Sequence, residues 1–156
     1  MGRIYTFPLA PTAGVSSDAD WDIFQLDAAA TAGQRRRVIV HELSLTTSIA
    51  AAAKIHLRWV RRSTAGSGTA VTPSPNDEGN TDPAITVCTA VIATPGTIIS
   101  STVGRTWQWD QMGELLMIPT PETRIITGES GILCLNCQTS QASPPNFSGH
   151  IVFEEG

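Results

Sequence analysis

Short runs that alternate apolar and polar residues, cut at intervals by glycine and proline, constrain this chain more than any other feature. The clearest run is Lys54–Arg62, K-I-H-L-R-W-V-R-R, in which Ile55, Leu57 and Trp59 share one side and His56, Arg58 and Arg62 the other. Successive side chains of a strand point to opposite faces. The spacing therefore predicts a half-buried strand, with the first set on a core and the second facing outward. Arg37–Thr46 alternates in the same way, placing Val38, Val40 and Glu42 opposite Ile39, His41, Leu43 and Leu45. Other strand-like runs are Ile4–Phe7 (ended by Pro8), Asp20–Leu26, Ala84–Ile92, Thr97–Val103, Arg105–Asp110 and Leu115–Ile118. Arg124–Thr127 and Ile132–Leu135 flank the turn Gly128-Glu129-Ser130-Gly131, and Ser148–Glu155 reads as the last strand. At most, Asp27–Gly33 and Ser48–Ala53 offer a turn of helix.

Many short strands with this punctuation predict an all-β fold, an antiparallel sandwich or jelly-roll-like single domain. A length of 156 residues suits one core, so residues 1–156 are expected to form one domain. Between Ser63 and Pro83 the chain is mostly Gly, Ser, Thr, Pro and Asp, which cannot bury enough apolar surface to order itself strongly. That segment is expected to be a long exposed loop, a length that usually serves contact or function.

Composition narrows the partners. The net charge is −4, which argues against nucleic acid, and no apolar run reaches the roughly 18 residues of a membrane helix. The opening Met1–Pro8 reads as a strand rather than a leader. Charged residues make up only 15% of the chain, and Lys54 is its one lysine among ten basic residues. Arginine suits planar pairing with carboxylates at interfaces.

Candidate chemistry is sparse. Cys134-Leu135-Asn136-Cys137 is a C-x-x-C, but on a strand its cysteines face opposite sides, about 10 Å apart, too far for a disulfide. Zinc would need two more ligands from Cys88, His41, His56 and His150, so buried free thiols are expected instead. Asp18-Ala19-Asp20-Trp21-Asp22 opens like a calcium loop, yet Ile23 stands where glycine is required and Ala29 where a bidentate glutamate is required. Gly66-Ser67-Gly68 and Gly128–Gly131 are no nucleophile elbow, and the three histidines lie in strands with no evident nucleophile beside them. The reading is a protein that is not an enzyme and needs no cofactor or metal. Trp107 and Trp109 share one strand face, about 6.8 Å apart, and would serve as a stacking platform if the chain were a carbohydrate-binding sandwich.

Five segments carry a family resemblance: I-Y-T-F-P at Ile4–Pro8, D-I-F-Q-L at Asp22–Leu26, and G-S-G-T-A-V-T-P-x-P at Gly66–Pro75. The other two are P-T-P-E-x-R at Pro119–Arg124 with G-E at Gly128-Glu129, and S-G-x-I-x-F-E-E at Ser148–Glu155. Together they resemble small structural proteins of tailed-phage and prophage virions, including capsid decoration (cement) proteins. The Arg35-Arg36-Arg37 cluster and the cysteine pair are features of this sequence alone. The resemblance implies a protein made in the host bacterial cytoplasm and carried on the capsid exterior, where it binds the major capsid protein and stabilises the shell. It also implies self-association as a homotrimer, with no nucleic acid and no membrane involved. A head-fibre or tail protein is the alternative. Interface residues expected on this reading are Arg3, Tyr5 and Phe7 of the first strand, Arg35, Arg36 and Arg37, and Thr69, Val71 and Pro73 of the long loop.

Overall fold

A computed structural model describes residues 2–13, 20–28, 37–48, 54–100, 106–110, 112–128, 131–138 and 146–156. Thirteen strands and one 3-10 turn at Pro121–Thr123 make up the ordered elements. In chain order the strands are β1 (Arg3–Ala13), β2 (Trp21–Asp27), β3 (Val38–Thr47), β4 (Lys54–Arg62), β5 (Ser67–Val71), β6 (Ser74–Pro75) and β7 (Val87–Thr94). They continue as β8 (Ile98–Ser100), β9 (Thr106–Asp110), β10 (Leu115–Met117), β11 (Ile125–Ile126), β12 (Ile132–Cys137) and β13 (Asn146–Glu155). The alternation is thus realised as an all-β protein, and the expected helical turn at Ser48–Ala53 falls outside the described residues after Ser48.

Two antiparallel sheets face each other. One runs β10-β3-β13-β1-β6 with β11 also on β3; the other runs β5-β7-β2-β12-β4-β8 with β9 also on β4. Leaving out β5–β8 and β11, the chain visits the sheets so that the first strand pairs the last and the second pairs the next-to-last. Neighbours are β10-β3-β13-β1 in one layer and β2-β12-β4-β9 in the other. That order is the jelly roll, two interleaved Greek keys. The segment β5–β8 is an insertion between the fourth and fifth strands of this plan. It widens both layers on the same side, β5 and β7 beyond β2, and β6 beyond β1.

Aromatic side chains join the layers. Across the layers Phe24 meets Phe7 edge-on at 6.1 Å, and Phe147 meets Trp21 at 5.4 Å and Trp109 at 6.3 Å, while Phe24 meets Trp59 at 5.6 Å within its own sheet. Tyr5 stacks on Phe153 at 5.8 Å within one layer. Such pairs add about 0.5–1.5 kcal/mol each beyond the area they bury.

Three features depart from simple alternation. Val38 and Val40 were expected opposite Leu43 and Leu45, yet all four are buried in one core. A bulge explains it: β3 pairs β13 as Val40↔Phe153 and then Glu42↔Val152, so the extra residue, His41, reverses the parity. Pro8 does not end β1, which runs to Ala13. There β1 is an edge strand beyond the reach of β6, which pairs only Tyr5 and Thr6, and an edge position tolerates a missing N–H. Arg62 was expected outward in solvent and is 3% exposed.

The site around Arg62 shows what covers it. Asp22, Asn136, Cys134, Val60 and Ile132 share its side of the seven-stranded sheet, the side away from the core, and all are buried. Arg62 holds Asp22 through two bonds of 2.6 Å and donates a third to Gly96 O at 2.6 Å. Asn136 Nδ2 donates to Asp22 Oδ1 at 3.0 Å, and Arg58 Nε donates to Asn136 Oδ1 at 2.8 Å. Gly66 N donates to Gln25 Oε1 at 2.9 Å. The two ends of the insertion therefore fold over the outer face of this sheet. Burial disfavours the charge of Arg62, but the hydrogen bonds and charge of Asp22 outweigh it and hold the group above its ordinary range.

Candidate docking surface

The structure brings together two regions expected to carry interface residues, the first strand and the long loop. Thr6 Oγ1 donates to Asn76 Oδ1 at 2.6 Å, Asn76 N donates to Ile4 O at 3.0 Å, and Arg3 pairs with Asp82. Glu155, on β13, accepts from Ile85 N at 3.1 Å and Thr86 N at 2.5 Å with its side chain buried. The 63–83 segment is exposed in most of its side chains but is not a free loop: β5 and β6 lie inside it, each laid on a sheet edge. Asp77 and Asn80 close its turn by accepting from Gly79 N and Asp82 N.

The expected interface residues divide accordingly. Arg3 and Thr69 are exposed, and Val71 and Pro73 are half-buried. Tyr5 and Phe7 are fully buried, because β1 alternates and its odd positions fill the core, so neither side chain belongs to a surface of this chain. Arg37 is exposed and its backbone pairs with Gly156. Arg3 and Val38 both lie opposite Glu155, so Arg3 and Arg37 flank the same end of β13. Arg35 and Arg36 lie outside the described residues, as do Asp18, Ala19 and Ala29 of the acidic segment.

Two stretches with candidate chemistry turn out to be framework. Cys88, Cys134 and Cys137 are buried, and none is in a disulfide. Cys134 pairs across β12 with Val60 and sits beside Asp22 and Arg62, whereas Cys137, paired with Leu57, belongs to the core on the opposite side. Trp107 and Trp109 do share a face, but it is the inward one: Trp109 is 6% exposed and donates to Gly113 O at 2.9 Å, and Trp107 packs against the core. Trp109 is thus closed to stacking, and Trp107 is half-buried.

The bare outer face of the six-stranded sheet was not singled out by the sequence. Across it run the rows Ile126–Ile39–Glu154–Ile4 and Leu116–Ser44–His150–Pro8, with Glu42–Val152–Thr6 between them. Because of the bulge, His41 and Glu42 both point to this face. His41 bonds Glu154 at 2.9 Å and His150 bonds Glu42 at 2.7 Å, so the polar groups are paired among themselves. Along its β10–β11 edge the face carries exposed apolar side chains: Leu116 is 55% exposed, Ile126 37%, and Ile118, just past β10, 65%. Large exposed apolar side chains along a sheet edge make this stretch a candidate docking surface. One sequence signal pointed there. Leu115-Leu116-Met117-Ile118 is a continuous apolar run followed by Pro119 and Pro121, and an edge strand can bury only every second residue of such a run.

Near the start of β1, an open depression of about 610 Å³ has Arg3, Asp77 and Glu154 on its walls. In comparisons with known proteins, no family model, no curated protein and no solved structure matched the chain.

Proposed function

We propose that this protein is a structural component of a tailed-phage virion that binds the outside of the assembled capsid and stabilises it. The observation that supports a docking role is the set of exposed apolar residues Leu116, Ile118 and Ile126 along the β10–β11 edge of the six-stranded sheet. The phage assignment rests on the five resembling segments, two of which, Pro119–Arg124 and Ser148–Glu155, build and border that face. A chain with only 15% charged residues loses little hydration when it docks, so a modest apolar contact suffices for each copy. A trimer, the state the resemblance implies, would multiply that contact. Because the protein would bind the assembled shell and not the dissociated subunits, it would stabilise the shell by mass action.

The test adds the purified chain to undecorated shells and measures occupancy and shell melting temperature. Saturable binding to the exterior and a raised melting temperature are expected. The double variant L116E/I118E should bind at least about ten-fold more weakly, since each charge would have to be desolvated in the contact. Its own fold should be retained, because both positions are exposed. Binding to isolated tails and not to shells would overturn the capsid reading in favour of a tail component.

A further inference from the structure

The seven-stranded sheet ends on one side at β5, whose outer backbone row has no hydrogen-bond partner among the described residues. We propose that β5 is a self-pairing strand: two copies join antiparallel through it, about a two-fold axis, into one continuous sheet. The other sheet edges carry features that oppose such pairing. β6 has two residues and ends in Pro75, and the stretch of β1 beyond it carries Pro8 and Pro11; β10 and β11 are separated by Pro119, the 3-10 turn and Arg124; β8 has three residues; β9 ends in Asp110. Prolines, charges and shortness keep an edge from pairing with strangers.

β5 has none of these. Its sequence is Ser-Gly-Thr-Ala-Val, and the thirteen residues Ser63–Pro75 around it contain no charge. Its one irregularity lies at Gly68, where a Cβ would press on Ala90 O and Val91 O, leaving Thr69, Ala70 and Val71 in regular register on β7. Charge selects the occupant. In a two-fold pairing every residue meets the same neutral set, so no like-charge penalty arises, and a neutral edge offers a charged partner strand nothing to complement. Thr69 is exposed and β-branched, suited to the centre of such a ladder.

Contact area sets the strength. Five residues span about 17 Å of strand, and an edge-to-edge contact of that length falls well below the roughly 1,200 Å² of a stable interface. The pairing is therefore weak, with a dissociation constant on the order of 0.1–1 mM. It becomes effective where copies are held close together, as on a shell. The pairing is a property of the purified chain and does not depend on the capsid reading.

Sedimentation equilibrium from 10 μM to 2 mM tests it. The expected result is a reversible doubling of mass from whatever unit is present at low concentration. T69K should shift the doubling to at least about ten-fold higher concentration, with unchanged circular dichroism and melting temperature. T69V, neutral and β-branched, should keep it. A mass independent of concentration, a threefold step, or T69K behaving as wild type would each overturn the proposal.

Discussion

Asp22 and Arg62 lie on the side of their sheet that faces away from the core, yet neither reaches solvent, because the ends of the insertion close over them. A buried pair of this kind gives little net stability, but losing one partner leaves the other charge unpaired in an apolar setting. R62M should lower the unfolding free energy by about 3–5 kcal/mol, and D22L/R62M should recover much of that loss; chemical denaturation measures both. The neighbouring thiols make a second prediction. Burial, then the charge of Glu155, pushes the Cys88 thiol up, and burial, then the charge of Asp22, does the same to Cys134. Both stay protonated in the folded chain and should not react with a thiol reagent until it unfolds. In the unfolded chain they ionise near the ordinary value of about 8.5, so stability is full below that pH and falls as pH rises beyond it. Unfolding midpoints at pH 7 and pH 10 read the difference.

At the scale of elements, the insertion is tied to the jelly roll by β7 on β2, β8 on β4, β6 on β1, and the Glu155 carboxylate on Ile85 and Thr86. Removing that carboxylate strands a buried N–H at Thr86 and frees the segment between β6 and β7. E155A should cost about 1–3 kcal/mol. It should also speed amide exchange in β6 and at Ile85–Thr86 more than in β12, which hydrogen exchange resolves. β13 makes a different demand. Gly149 has φ +150 and packs against the Ser44 carbonyl, where a Cβ would collide with backbone. G149A should therefore destabilise by at least about 1–3 kcal/mol, the cost of holding an L residue in such backbone, as thermal melting would show.

For the whole molecule, one core crosses both sheets, so the jelly roll and its insertion should unfold together. Far-UV circular dichroism should show a β spectrum with less than about a quarter helix, against the usual third for globular proteins, and the melt should be a single transition. The two outer faces differ in kind. Around Arg62 the insertion closes over the outer face of the seven-stranded sheet, whereas among the described residues no element crosses the outer face of the six-stranded sheet, which carries an apolar edge. A molecule with one covered and one uncovered face is suited to docking by a single side.

Strand identity was written locally. Ile55, Leu57 and Trp59 face the core because period two requires it, and Cys134 and Cys137 face apart for the same reason. The apolar run at Leu115–Ile118 likewise announced more apolar surface than an edge can bury. The alternation could not fix pairing, since one bulged residue at His41 moves Val38 and Val40 to the side of Leu43 and Leu45. Nor could composition show that the Ser63–Pro83 segment, rich in Gly, Ser, Thr, Pro and Asp, would be ordered. Its order comes from the open edges of β7 and β1, which satisfy its backbone, and from Glu155, far along the chain. Arg62 reads as solvent-facing in sequence because alternation reports only which side of a sheet a residue occupies. Whether that side is water or protein depends on what folds across it, and only the tertiary structure decides that.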